Sequence, residues 1–434
     1  MELVTTGNGA NFFSGKTAAD ILFLIERRKP SHNSIERVYD EWAEDKSRLT
    51  ELQWATCNDD AEQAIELVLN DGVDINAPGS NKDYTALLHA SRSSSSHFIE
   101  TLIELGADAN AQRTERKVTP LLVATYWNNY MASYLFLRHE ADVNVQDSNG
   151  LTPLHLSVRK DHDHLSKLLL ANNADVDIQD KNRETPLHSS VTKGDKHLVR
   201  LLLKHKANVN VFNNEGKTAL YRSVETGDEN VLRLLLQHNA DVNIPDNYGE
   251  MPLQWSVKRK KENIVRLLLE HNANVNVQDD EGKTLLNWSV KQGDERLVRL
   301  LLEHYAYVNI EDKCGFTPLH LSVIGGDENL LSLLLKHNAD VNFQDDNGYT
   351  ALHWAVLRGD QNLVRLLLRH NADVNIQDQN GYTPLFRPVF NGDENLVRLL
   401  IEHNADINIL DIDRYTPLHH SVITDDEDLV RLYA

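Results

Sequence analysis

The chain has 434 residues but only two cysteines, Cys57 and Cys314. Two thiols cannot form the disulfide framework of a small secreted protein, so a reducing compartment is expected. Cys314 falls on an expected turn and is read as an exposed, inert thiol. Positive charge is also scarce, with 44 Lys and Arg against 65 Asp and Glu and a formal charge of −21. Such a field repels phosphate, which argues against nucleic acid or an anionic membrane as the main partner. No apolar run approaches the roughly 18 residues a membrane helix needs. The start carries no basic leader, and its apolar stretch "ILFLI" is too short for a signal peptide. These absences lead to the expectation of a soluble cytoplasmic chain. The basic run "KRKK" at 258–261 makes the nucleus the second compartment to consider, although charges at a helix link are more often simply solvated.

A period dominates what is present. "TPLH" begins at Thr152, and the same slot returns at Thr185, Thr218, Met251, Thr284, Thr317, Thr350, Thr383 and Thr416, every 33 residues. Upstream the phase continues to Thr119 and, one residue longer, to Thr85; the extra residue is expected in "AQRTERKV". A fixed period of this length signals stacked repeats.

Each repeat can be built from its letters. The slot Thr caps a first helix, and Pro follows where its missing N–H costs nothing. Gly194, Gly227, Gly293, Gly326, Gly359 and Gly392 end that helix, and the next Asp caps a second. The Leu and Val residues of the second helix recur at spacings of three and four, so one face is buried. Asn173, Asn239, Asn272, Asn338, Asn371 and Asn404 stand where a left-handed residue is wanted. An extended segment and a tight turn follow, as in "ADVNIQDQNGYT" at 372–383.

The run "DNGYTALHWAVLRGDQNLVRLLLRHNADVNIQ" (346–377) resembles the ankyrin repeat. The resemblance implies an all-α-dominated solenoid of stacked helix-turn-helix repeats with β-hairpin fingers. About twelve are expected, near 46–81, 82–115, 116–148, 149–181, 182–214, 215–247, 248–280, 281–313, 314–346, 347–379, 380–412 and 413–434, the first degenerate and the last truncated. Residues 1–45 form a separate, partly helical N-terminal segment with no assigned role. Met251 for a capping Thr, Lys260 for a linking Gly, and Arg183 and Arg414 for turn glycines depart from the pattern. Pro388, about one turn inside a helix, is expected to bend it or cost several kcal/mol. Ending at Ala434 within a second helix, the last repeat is expected to fray over about 416–434 or to self-associate; otherwise a monomer is expected.

Several sharper readings compete with plain packing. "ANFFSGKT" (10–17) fits a permissive phosphate-loop pattern, with Lys16 and Thr17 in the phosphate and magnesium roles. The same "GKT" occurs at 216–218 and 282–284 as turn, variable residue and cap, and the segment before the repeats is too short for a supporting sheet. It is read as turn, cap and helix, and no cofactor is expected. The 20 histidines fall mostly on two repeating slots, forming ladders about a helix diameter apart, the wrong geometry for zinc. The serines at 157, 190, 223, 256, 289, 322 and 421 occupy the small-residue slot of the first helix, and a nucleophile normally appears once. No catalytic residue is expected.

Variable slots are more informative. The letter before the capping Thr is charged at Glu184, Lys217, Glu250 and Lys283, then aromatic at Phe316, Tyr349, Tyr382 and Tyr415. The letters before the linking Gly change likewise, from Lys193, Lys258, Arg259 and Lys291 to Ile324, Leu357 and Phe390. Trp255, Trp288 and Trp354 share a further slot and are read equally as packing or contact. The resemblance places the finger slot on a concave side and implies a non-enzymatic scaffold binding a protein partner there. The basic and aromatic regions together match a ligand with an apolar stretch and an acidic end. Its rival is a recognition module of a larger enzyme or signalling protein, for example a ubiquitin ligase or an innate-immune receptor. Asn243, Asn342 and Asn375 have Leu eight residues before and Asp-Val immediately before, which resembles substrates of the asparaginyl hydroxylase of the hypoxia pathway. The plainer reading is that these asparagines hydrogen-bond the hairpin.

Overall fold

The computed structural model describes residues 50–79, 84–112 and 116–423. The phosphate-loop-like segment, all of the N-terminal segment 1–45 and residues 424–434 lie outside that range. The chain divides into two compact parts, residues 1–189 and 190–434.

In both parts the described residues alternate short helices in pairs, 23 in all. The pair Ala351–Arg358 and Gln361–Arg369 is representative. Thr350 caps the first helix, Gly359 ends it at φ 72°, and Asp360 caps the second by accepting from the N–H groups of Asn362 and Leu363. Leu363, Val364, Leu367 and Leu368 of the second helix are buried, each contributing about 1.5–3 kcal/mol. Within each part, first helices pack on first helices and second on second. All six asparagines expected to end a second helix hold positive φ, between 60° and 67°. The degenerate first repeat is present too, as Glu51–Asn58 and Ala61–Leu69.

The fingers differ from the expected hairpins. Among the described residues there is no ladder, only the isolated bridges Phe212↔Thr218 and Gln278↔Thr284. Each finger is instead folded around one carboxylate. Oδ1 of Asp345 accepts from the N–H groups of Asn347 and Tyr349 (both 2.9 Å), while the Asp345 N–H donates to Tyr349 O (2.9 Å). Asp147, Asp180, Asp246, Asp279, Asp312, Asp378 and Asp411 do the same, and Asn213 does it with an amide oxygen. With the N–H groups turned inward onto a side chain, few remain to pair across strands. Gly381 closes such a turn at φ 77°, and a Cβ there would meet the Asp411 backbone at 2.9 Å.

Pro388 lies in the first turn of its helix, not a turn further in. The first helix of that repeat begins at Phe386 instead of at Pro384, running Phe386–Asn391. Pro388 thereby falls in the first turn, where its absent N–H has no partner to lose. Met251 caps nothing with its side chain, but Gln254 Oε1 still accepts from the Met251 N–H (2.9 Å). Lys260, Arg183 and Arg414 take positive φ (55°, 58° and 66°), a strain of about 1–2 kcal/mol for a residue with a Cβ.

Side chains tie each repeat to the next. His353 Nδ1 accepts from the Thr350 N–H (3.1 Å), so its Nε2 carries the proton and donates to Tyr382 O (3.2 Å). His155 and His320 repeat the arrangement, and the serines of the small-residue slot donate to carbonyls three or four residues back. Burial lowers His155 from 6.5 to about 4 and lowers His320 and His353 likewise. The unfolded chain therefore takes up protons that the native histidines refuse. Stability is full above pH 6.5 and falls as pH drops from there towards about 4. Thermal melts across that window should show the decline. Asn287, in the same slot, bonds Thr284 and Phe316 O, so His155→Asn should fold and flatten the slope.

Candidate partner-binding surface

All of the expected contact residues lie in the part spanning 190–434. The finger slot and the residue eight positions later on the first helix meet on one surface. In two of the repeats with a charged slot they form an ion pair: Lys217 with Glu225 (2.7 Å) and Glu250 with Lys258 (2.9 Å). Lys258 also lies 5.6 Å from the Trp288 ring, and Arg259 stacks 4.3 Å over Trp255. Two of the basic charges expected to meet an acidic ligand are thus engaged internally, while Lys291 is exposed. Lys283 pairs with Glu281 within its own turn.

From Phe316 onward the same two positions hold apolar side chains. Phe316, Tyr349, Tyr382 and Phe390 are half-buried, and Ile324, Leu357 and Tyr415 are 39, 42 and 44% exposed. Trp354 stands edge-on between Phe316 (5.7 Å) and Tyr349 (5.6 Å), linking two fingers. Tyr382 meets Phe390 at 5.8 Å, Phe390 meets His420 at 4.6 Å, and His420 meets Tyr415 at 5.6 Å. Two aromatic runs result, with a groove of about 130 Å³ between Tyr349 and Tyr382, bordered also by Leu357, Phe386 and Phe390. Burial, then the charges of Asp378 and Asp345, raise the Tyr349 phenol; burial, then Asp411 and Asp413, raise Tyr382. Both hydroxyls stay protonated donors at neutral pH.

Trp288 and Trp354 are half-buried and have a defined internal role. Their Nε1–H groups donate to the second carboxylate oxygen of the finger, on Asp279 (2.8 Å) and Asp345 (2.9 Å), nine residues earlier. His420 makes the same contact with Asp411 (2.8 Å). Sequence reasoning passed over these finger aspartates because their recurrence in nearly every repeat reads as turn chemistry. The nine-residue spacing from Asp to Trp or His was the available signal.

Asn243 and Asn375 each bridge two repeats. Asn375 Oδ1 accepts from the Asp406 N–H (2.7 Å) and its Nδ2 donates to Asn404 O (3.2 Å); Asn243 contacts Asn274 and Asn272 in the same way. Asn342 Oδ1 accepts from the Asp373 N–H (2.8 Å). Cys57 and Cys314 are both free and exposed. No described helix is long and apolar enough to cross a membrane.

The family described as ankyrin repeats (3 copies) matches residues 109–180, 160–246, 241–312, 306–378 and 358–433. One similar protein is FPV031 of fowlpox virus (strain NVSL), named for its ankyrin repeats, 33% identical over 95 residues. That stretch covers 22% of this chain and 28% of the relative, so the chain matches well under two thirds of the relative's length.

Trp354→Phe leaves the Asp345 Oδ2 buried without its donor, and should lower stability by about 1–3 kcal/mol in urea titration. Adding Asp345→Asn, which removes the orphaned charge, should recover part of that loss.

Proposed function

Because the chain belongs to the ankyrin repeat family, we propose that it is a non-enzymatic scaffold that binds a partner protein through the finger surface of residues 316–415. One observation carries the reading: the slots that pair ionically in repeats 215–247 and 248–280 become apolar and partly exposed from Phe316 onward. A charged pair satisfies itself, whereas a half-exposed aromatic row gains only by being covered. Phe316, Tyr349, Tyr382 and Tyr415 supply contact area with few rotamers to freeze. Leu357 and Phe390 widen the same face, and Lys291 adds an unengaged charge beside it. Ser157, Ser223, Ser256, Ser289 and Ser322, with His155, His320 and His353, are buried and spend their polar atoms on hydrogen bonds within the stack, which supports a binding role.

Full-length chain and a Tyr349→Ala/Tyr382→Ala variant, compared in affinity capture and then titration of the captured partner, test the proposal. The variant should bind more weakly by about 2 kcal/mol or more while remaining folded. Unchanged affinity with folding intact would move the site to another face.

Asn243, Asn342 and Asn375 are proposed in addition as acceptors for asparaginyl hydroxylation. Since their side-chain oxygens are bonded to the next repeat, the modifying enzyme has to open the loop first. Partial oxygen addition, greater after mild destabilisation, is the expected result of peptide mass spectrometry. Absence of added oxygen at all three after such destabilisation removes the idea.

A further inference from the structure

The groove between Tyr349 and Tyr382 contains a finger carboxylate whose second oxygen is both buried and left over. Asp378 is 6% exposed. Its Oδ1 accepts from the N–H groups of Asn380 and Tyr382 (both 2.8 Å). Its Oδ2 is buried and accepts no hydrogen bond of normal geometry, the Tyr349 hydroxyl approaching the carboxylate without completing one, in contrast to the equivalent oxygens of Asp180, Asp246, Asp279, Asp345 and Asp411, which contact Arg159, Tyr221, Trp288, Trp354 and His420. A buried, unpartnered carboxylate oxygen is costly unless a cation completes it.

The cause is local and readable. The slot nine residues after the finger aspartate, which supplies the donor to Asp279, Asp345 and Asp411, holds Arg387 here. Because Pro388 delays the helix to Phe386, Arg387 sits in its first turn, exposed, at the rim of the groove. Phe386 also replaces the bridging histidine of other repeats, so the ring that would reach the next finger faces the groove as an apolar wall.

We propose that this groove binds an arginine side chain presented by the partner protein, an inference that rests on the finger surface being the binding face. Tyr349, Tyr382, Phe386 and Phe390 provide ring faces and edges suited to a planar, weakly hydrated guanidinium. The charged groups facing the site are Asp345, Asp378, Asp411 and Asp413 against Arg387 and, when protonated, His420, a balance that favours a cation. The volume of about 130 Å³ is well above the roughly 10–15 Å³ that one water requires. A guanidinium on the rings lies in the field of Asp378; direct contact with Oδ2 needs a side-chain rotation at the groove wall. The formal charge of −21 draws a basic segment towards this face from a distance.

The test uses full-length chain, acetyl-arginine amide as the probe and its neutral isostere acetyl-citrulline amide as the control, read by backbone amide NMR. Saturable shifts should fall on residues 345–390 with the arginine probe and be absent with citrulline. Asp378→Asn should weaken the probe by about tenfold or more while the finger persists, since Asn213 folds the same turn with an amide oxygen. Equal binding of citrulline, equal binding to Asp378→Asn, or no shifts with the wild-type chain overturns the proposal. Binding seen only in Arg387→Ala also overturns it, because the native occupant is then Arg387 itself. Partner capture that survives in Asp378→Asn, with the probe silent, leaves the broader binding function standing and removes only the arginine pocket.

Discussion

The loop asparagine and the first-helix histidine each make one hydrogen bond within their own repeat's loop or cap and one to the next, and the rest of the structure depends on that division. Asn375 takes the Asp406 N–H while its own N–H is held by Asp373 (2.8 Å), and His353 joins Thr350 to Tyr382 O. A repeat taken alone would leave those groups to water and expose the Leu face of its second helix. Cooperativity in such an array is therefore nearest-neighbour in origin, with polar and apolar terms acting across the same joint.

Because those joints use a few fixed slots in each repeat, the remaining positions are free to differ. The finger slot and its neighbour eight residues on form a two-residue patch displayed in the same place in every repeat. Filled by Lys217 and Glu225 or by Glu250 and Lys258, the patch neutralises itself. Filled by Tyr382 and Phe390, it presents rings instead. The scaffold does not change between the two cases, so binding chemistry can vary along the chain without altering the fold.

Most of the fold was legible in the sequence because it is carried by local rules. Caps, linking glycines and left-handed asparagines are decided within a few residues, and the structure places Asn173 and Asn404 as the letters require. The fingers were less legible. Extended letters such as "ADVNIQD" predict strands, but the aspartate that folds the turn takes the N–H groups a ladder would use, as Asp345 takes those of Asn347 and Tyr349. Of the surface, the aromatic slot was readable, whereas the engagement of Lys258 by Glu250 and of Trp354 by Asp345 was not. Those contacts join a finger to a helix, and neither period three to four nor period two shows which residues of the two elements meet.

Three departures from the repeat pattern fall in one stretch, Phe386, Arg387 and Pro388, and their coincidence is informative. Separately, each weakens the repeat: Phe386 gives up the bridge to the next finger, Arg387 leaves Asp378 Oδ2 without its usual donor, and Pro388 shortens the helix. Scattered at random, such changes would be compensated one by one. Gathered on one rim, they border a groove walled by rings and based on a buried carboxylate. Chains that follow their local rules elsewhere tend to break them together where function requires it. The stability forgone here is local, because Leu396, Val397, Leu399 and Leu400 of the following helix remain buried and hold the repeat in the stack. Loss of a bridge in a first helix, backed by an intact second helix, is the arrangement that lets a binding groove form without releasing the repeat from its neighbours.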